Sequence, residues 1–127
     1  MVRPSYWPTP MAVVEQMLDV AKLRAGESFC DLGSGDGRFV GAAQARGAIA
    51  CGVERDAELV RKSMALGLDI REGDLMDCDL SPFDVVTGFF ESADAETVTA
   101  KFDREAKPGA RLVLRVHSEI VCHSRAS

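Results

Sequence analysis

No C-x-x-C pair occurs in this 127-residue chain, and its two histidines, His117 and His123, have no partners at metal-ligand spacing. A bound zinc is therefore not expected. No run approaches the roughly 18 apolar residues that span a membrane. The N-terminus MVRPSYWPTP lacks the apolar core of a signal peptide. A basic stripe is missing too: the formal charge is −5, with acids and bases interspersed. That argues against a general nucleic-acid binder and leaves a basic protein or peptide open as a partner. There are no internal repeats or low-complexity segments. The cysteines, Cys30, Cys51, Cys78 and Cys122, show no disulfide framework. Cys30 and Cys51 fall in apolar runs, where cysteine behaves as a small apolar residue. A reduced, cytoplasmic setting is the expectation.

What is present is ordinary globular composition, 46% apolar and 28% charged, enough to bury a real core. The length predicts one domain over 1–127, with an N-terminal segment 1–9 and a tail 118–127. Tyr6-Trp7-Pro8-Thr9-Pro10 is stiff and extended, because each proline restricts the residue before it. Thr9-Pro10 reads as an N-cap and first-turn pair. Val13, Val14, Met17, Leu18 and Ala21 recur at helical spacing, predicting a helix over about 10–24 closed by Gly26.

Element types then alternate. Strands are predicted at Ser28–Leu32, Ala48–Val53, Leu68–Arg71, Phe83–Phe90 and Ala110–His117. Helices are predicted at Arg38–Arg46, from a cap at Asp56 to Leu66, and over about 93–106, with Ala95, Val98 and Phe102 on one face. The tail from Ser118 reads as weakly structured. This alternation predicts an α/β, Rossmann-like, doubly wound fold with a mainly parallel sheet of order 3-2-1-4-5. Ligands in such sheets sit beyond the carboxyl ends of the strands, at the switch point.

The stretch DLGSGDGRFV carries the chemistry. An apolar strand runs into Gly33, Ser34, Gly35, Asp36 and Gly37, and a helix follows at once. Backbone N–H groups at such a turn are expected to face a ligand. Glu54 ends the second strand, where a carboxylate can accept hydrogen bonds from both hydroxyls of a ribose. Asp74, after the third strand, can take an adenine amino group, with the N–H of Leu75 reaching a ring nitrogen; Asp77 and Asp79 are close alternatives. The glycine spacing is G-x-G-x-G, not that of a dinucleotide site. Asp31 and Asp36 would repel a pyrophosphate and suit an ammonium and a sulfonium. S-adenosylmethionine has both, and an adenosine.

These motifs resemble those of the class I, seven-strand-type S-adenosylmethionine-dependent methyltransferases. DLGSGDGR is similar to their first motif, GVERD to the acidic second and GDL to the adenine-side motif. FDVV resembles their fourth strand, and KPGARLVL the loop and fifth strand. The resemblance covers about residues 5–117. A narrower one, carried by SYWPTPMAVVEQML, DLGSGDGRFV and FFESADAETVTAKFDREAKPGARLVLRV, is to a family of small protein-lysine methyltransferases. That family includes the mitochondrial enzymes acting on ATP synthase subunit c and the adenine nucleotide translocase. The resemblance implies that Asp31, Gly33, Gly35 and Asp36 surround the methionine part of the cofactor. It implies that Glu54 holds the ribose and Asp74 the adenine, and that the Tyr-Trp-Pro-Thr-Pro segment covers the cofactor with Thr9 as a polar contact.

For the methyl acceptor, Glu91 is placed to bind or deprotonate an ammonium. Tyr6, Trp7, Phe89 and Phe90 are candidates for an aromatic wall around it. The expected acceptor is a protein lysine. The alternatives are a small molecule, or a silent cofactor-binding module that needs a partner. An oxidoreductase using NAD is disfavoured by the glycine spacing and Asp36. Family members continue past the fifth strand with a helix and a hairpin, whereas HSEIVCHSRAS closes this chain. The expectation is therefore a fragment or a minimal fold lacking strands six and seven. The apolar edge Arg111–His117 would then be open, to be covered by the tail or, as the favoured outcome, by a second copy in a homodimer.

Overall fold

The computed structural model describes residues 8–126, so Tyr6 and Trp7 lie outside the described residues. Its strands are β1 (Ser28–Leu32), β2 (Ile49–Glu54), β3 (Ile70–Glu72), β4 (Val85–Phe90), β5 (Arg111–Val116) and β6 (Glu119–Ser124). Its helices are α1 (Met11–Val20), α2 (Arg38–Ala45), α3 (Ala57–Ala65) and α4 (Ser92–Glu105), with one 3-10 turn at Leu75–Asp77. The sheet order is β3-β2-β1-β4-β5-β6, parallel except for the last pair.

Both faces of the sheet are buried, as the crossovers require. Alternate residues of each strand supply the two cores. Phe29, Ala50, Val85 and Val113 pack with Val14, Met17 and Leu18 of α1, Phe39 and Val40 of α2 and Val60 of α3. Cys30, Cys51, Val86 and Leu112 pack with Ala95, Val98 and Phe102 of α4.

The helix stops have a common form. After α2 and α3, Gly47 (φ 86°) and Gly67 (φ 81°) take the left-handed position. The two following N–H bonds turn back in each case: Gly47 to Gln44 O and Ala48 to Ala43 O, Gly67 to Met64 O and Leu68 to Ser63 O. The first helix uses the same closure without glycine. Lys22 adopts φ 54°, its N–H bonds Asp19 O, and Leu23 N–H bonds Leu18 O. This is why α1 ends at Val20, short of the predicted Arg24. Asp56 caps α3 as expected, accepting from Glu58 and Leu59 N–H.

The tail corrects the sequence reading. Residues 119–124 form a sixth strand, antiparallel to β5 along its whole length, from Val116 opposite Glu119 to Arg111 opposite Ser124. Two residues, His117 and Ser118, make the turn, and His117 takes φ 55°. Hairpin turns place glycine or asparagine at such positions, so a His-Ser loop gives no turn signal. The edge of β5 is thus occupied from within the chain. The homodimer expected through an open fifth-strand edge loses its basis, since the N–H and C=O groups it needed are paired. No helix among the described residues is long and apolar enough to cross a membrane.

Candidate functional site

The sheet reverses direction at β1, which lies between β2 and β4. Its carboxyl end therefore opens a crevice, and the glycine turn occupies it. Gly33, Gly35 and Gly37 all have positive φ (76°, 58° and 84°). At Gly37 a side chain would also meet Leu68 Cδ1 at 2.5 Å. Gly52 on β2 has a different reason to be glycine: an added Cβ would lie 2.6 Å from Ser34 Cβ and 2.9 Å from Ile70 Cδ1. The turn thus packs directly on the backbone of β2.

The hydrogen bonds of the turn depart from expectation. The N–H groups of Gly33 and Ser34 both donate to Val53 O, at 2.8 and 2.9 Å, and that of Gly37 to Ser34 O. Gly35 N–H donates to Glu54 Oε1 at 2.8 Å. These four donors are satisfied within the protein, so the turn is not a pyrophosphate cradle. Glu54, 1% exposed, is the tie. Its second oxygen accepts Asp56 N–H at 2.9 Å, which fixes the carboxylate at the mouth of the crevice.

Asp36 is engaged by Arg38, whose Nε lies 3.0 and 3.1 Å from its two oxygens. Its charge is thereby compensated, and the case against a pyrophosphate rests on the consumed N–H groups rather than on this carboxylate. Arg38 Nη1 also donates to Thr9 O at 2.9 Å, linking the N-terminal segment to the turn. Asp31 is 3% exposed and accepts the Thr87 hydroxyl at 2.7 Å, across β1 and β4.

At the β3 side, Asp74 is exposed and caps the 3-10 turn, its Oδ1 accepting Met76 N–H at 2.9 Å. Leu75 is buried. At the β4 side, Phe90 is core, packed against α4, which removes it from the aromatic-wall candidates. Phe89 is half-buried under the guanidinium of Arg115, 5.7 Å from ring centroid to Cζ. Glu91 is exposed, and its carbonyl accepts Ala95 N–H as α4 begins. A cavity of about 330 Å³ lies between α1 and the β5–β6 hairpin, lined by Val13, Gln16, Val20, Arg115, Ser118 and Ile120.

The fold brings Asp31, the glycine turn, Glu54, Asp74 and Leu75 to one end of the sheet, with Phe89 and Glu91 beside them. Two participants escaped the sequence reading. Thr87 was legible as the one polar residue inside VVTGFF. Arg38 follows Gly37 directly.

Whether this crevice fits S-adenosylmethionine is tested by its polar groups. It holds no free row of N–H donors for phosphates. It has a fixed buried carboxylate at the ribose position of such folds. Ser34 Oγ is buried in the turn and bonded to no described residue. The fit is good.

Fold and site together define the class, a Rossmann-like methyltransferase dependent on S-adenosylmethionine. Within it, residues 13–101 match the family model described as methionine biosynthesis protein MetW, and the chain belongs to that family. It is 35% identical over 118 residues to a protein-lysine N-methyltransferase of Saccharolobus islandicus, with 85% of this chain and 73% of that protein covered. A solved structure of an RNA methyltransferase from Salinibacter ruber, in complex with S-adenosyl-L-homocysteine, superposes with a TM-score of 0.80 at 33% identity, covering 85% of this chain and 76% of that one. The YcgJ protein of Bacillus subtilis shares the fold alone, at 21% identity and a TM-score of 0.68 over 83% of this chain and 50% of its own.

Proposed function

We propose that the chain transfers a methyl group from S-adenosylmethionine to a lysine side chain of another protein, and that 1–127 is a single domain for this. In this reading Glu54 accepts from the ribose hydroxyls. Asp31 and the turn from Gly33 through Ser34, Gly35 and Asp36 to Gly37 surround the methionine part. Asp74 and the Leu75 N–H hold the adenine, and Thr9 lies over the bound molecule. When bound, the donor supplies an electrophilic methyl group on a cationic sulfur. The chain's own task is to bind, orient and desolvate the amine.

The observation that carries the lysine reading is the acidic, aromatic character of the edge beside the crevice. Phe89 stands near the end of β4, Glu91 precedes α4, and Asp94 and Glu96 follow in that helix. Such an edge attracts an ammonium and disfavours a phosphate backbone. The net charge of −5 acts in the same direction. The relationship to a protein-lysine methyltransferase supports the reading, and Tyr6 and Trp7 are proposed to complete the aromatic side. An RNA acceptor is the second reading, suggested by the relative of that description. The unpaired thiols support a reducing compartment such as the cytoplasm.

The test is incubation of the chain with methyl-labelled S-adenosylmethionine and lysate of the source cell, followed by separation of protein, RNA and small molecules. Label in protein, released on hydrolysis as methylated lysine, is the expected result. Label in RNA or in small molecules overturns the lysine reading.

A further inference from the structure

Strands β4 and β5 run in parallel register to their last residues, Phe90 opposite Val116. The next residue of each, Glu91 and His117, therefore leaves the sheet side by side. The structure bridges the two ends: Ser92 Oγ, at the first position of α4, lies 3.3 Å from His117 Nε2. Phe89 and Arg115 are opposite each other one step earlier, in cation–π contact. A carboxylate, an imidazole bonded to a hydroxyl and an aromatic ring thus stand at the carboxyl ends of two adjacent strands, next to the crevice.

His117 is also conformationally costly. A two-residue hairpin with positive φ at its first residue is relaxed with glycine or asparagine, yet histidine stands there at φ 55°. Residues kept in strained conformations cluster at functional sites.

We infer that His117 is the proton acceptor for the methyl-accepting amine, positioned by Ser92, with Glu91 drawing in the ammonium. This rests on the lysine reading above. The role uses the tautomer in which Nε2–H donates to Ser92 Oγ and the lone pair is on Nδ1. A lysine arrives as an ammonium, since its ordinary pKa is about 10.4. One N–H bond of the ammonium breaks, and its proton passes to Nδ1 and then to solvent. The freed nitrogen lone pair forms the N–C bond as the methyl carbon's bond to sulfur breaks, and those electrons stay on sulfur. No redox partner is needed. The charged groups on the elements that meet here are Glu91 at the cap of α4, Asp94 in its first turn, Glu119 at the start of β6 and Arg115 of β5, whose Nε donates to His117 O at 3.2 Å.

The experiment compares the full chain with His117→Asn and Ser92→Ala, using labelled S-adenosylmethionine and lysate protein as acceptor, from pH 6.5 to 10. Asparagine suits the left-handed turn, so His117→Asn melts no lower than the parent, and its S-adenosylhomocysteine affinity is unchanged. Its lysine methylation rate falls about 100-fold near pH 7. That loss shrinks towards pH 10, where water alone deprotonates the amine. Ser92→Ala shows a smaller loss with the same pH dependence. A loss independent of pH, or no loss, overturns the role of His117 while lysine methylation by the parent leaves the function intact. A parent chain that methylates no lysine overturns the function and this inference together.

Discussion

Substituting Glu54 by glutamine tests the join between the glycine turn and β2. The carboxylate is 1% exposed and accepts Gly35 N–H at 2.8 Å on one oxygen and Asp56 N–H at 2.9 Å on the other. Glutamine keeps the shape but offers one acceptor, so its NH2 group must face one of the two N–H donors. A hydrogen bond to a charged group contributes about 1.5–3 kcal/mol. One such bond is lost, and the other loses its charge assistance. The expected destabilisation is about 2–4 kcal/mol. For a chain of this size each kcal/mol moves the melting temperature by about 3–5 °C, giving a fall of about 10 °C. Differential scanning calorimetry reads this, and titration with S-adenosylhomocysteine at 15 °C reads binding, expected to weaken more than tenfold. Unchanged melting and unchanged affinity would refute the reasoning. Early melting with full affinity would leave Glu54 a structural tie and remove its ribose role.

Two further outcomes follow from the charged and sulfur groups. Arg111 donates to both oxygens of Glu27 at 2.8 Å, and these bonds, against the opposing effect of burial, hold the Glu27 carboxyl below its ordinary 4.5. A depressed carboxyl adds stability above its unfolded pKa that is lost as pH falls through the folded one. Melting temperature should therefore be level above about pH 6 and fall below pH 4.5, with Arg111→Gln lower at pH 7 and less steep in acid. Hydrogen bonding with Cys30, helped by Lys101 and Arg71 and opposed by burial, brings the Cys78 thiol down to about 7. Iodoacetamide at pH 7.5 should label half-buried Cys78 and exposed Cys122 in the native chain, and the buried Cys30 and Cys51 only after denaturation, as read by peptide mass spectrometry.

The order of the five parallel strands, β3-β2-β1-β4-β5, was legible in the sequence. Short apolar runs such as SFCDL and VVTGFF, bounded by turn residues, read as strands buried on both faces, and the helices between them make right-handed parallel crossovers. The glycines at 33, 35 and 37, with an acid ending the next strand, then fall at the switch point without further information. Tertiary structure decided what each polar group does there. The N–H groups of the turn look inward because β2 supplies Val53 O and Glu54 as acceptors, a pairing between segments about twenty residues apart that no local pattern encodes. Asp31 meets Thr87 only once β1 and β4 are in register. The end of α1 and the β5–β6 hairpin were invisible for one reason: Lys22 and His117 take left-handed conformations that sequence assigns to glycine. At His117 the turn sets an imidazole at the carboxyl end of β5, beside that of β4.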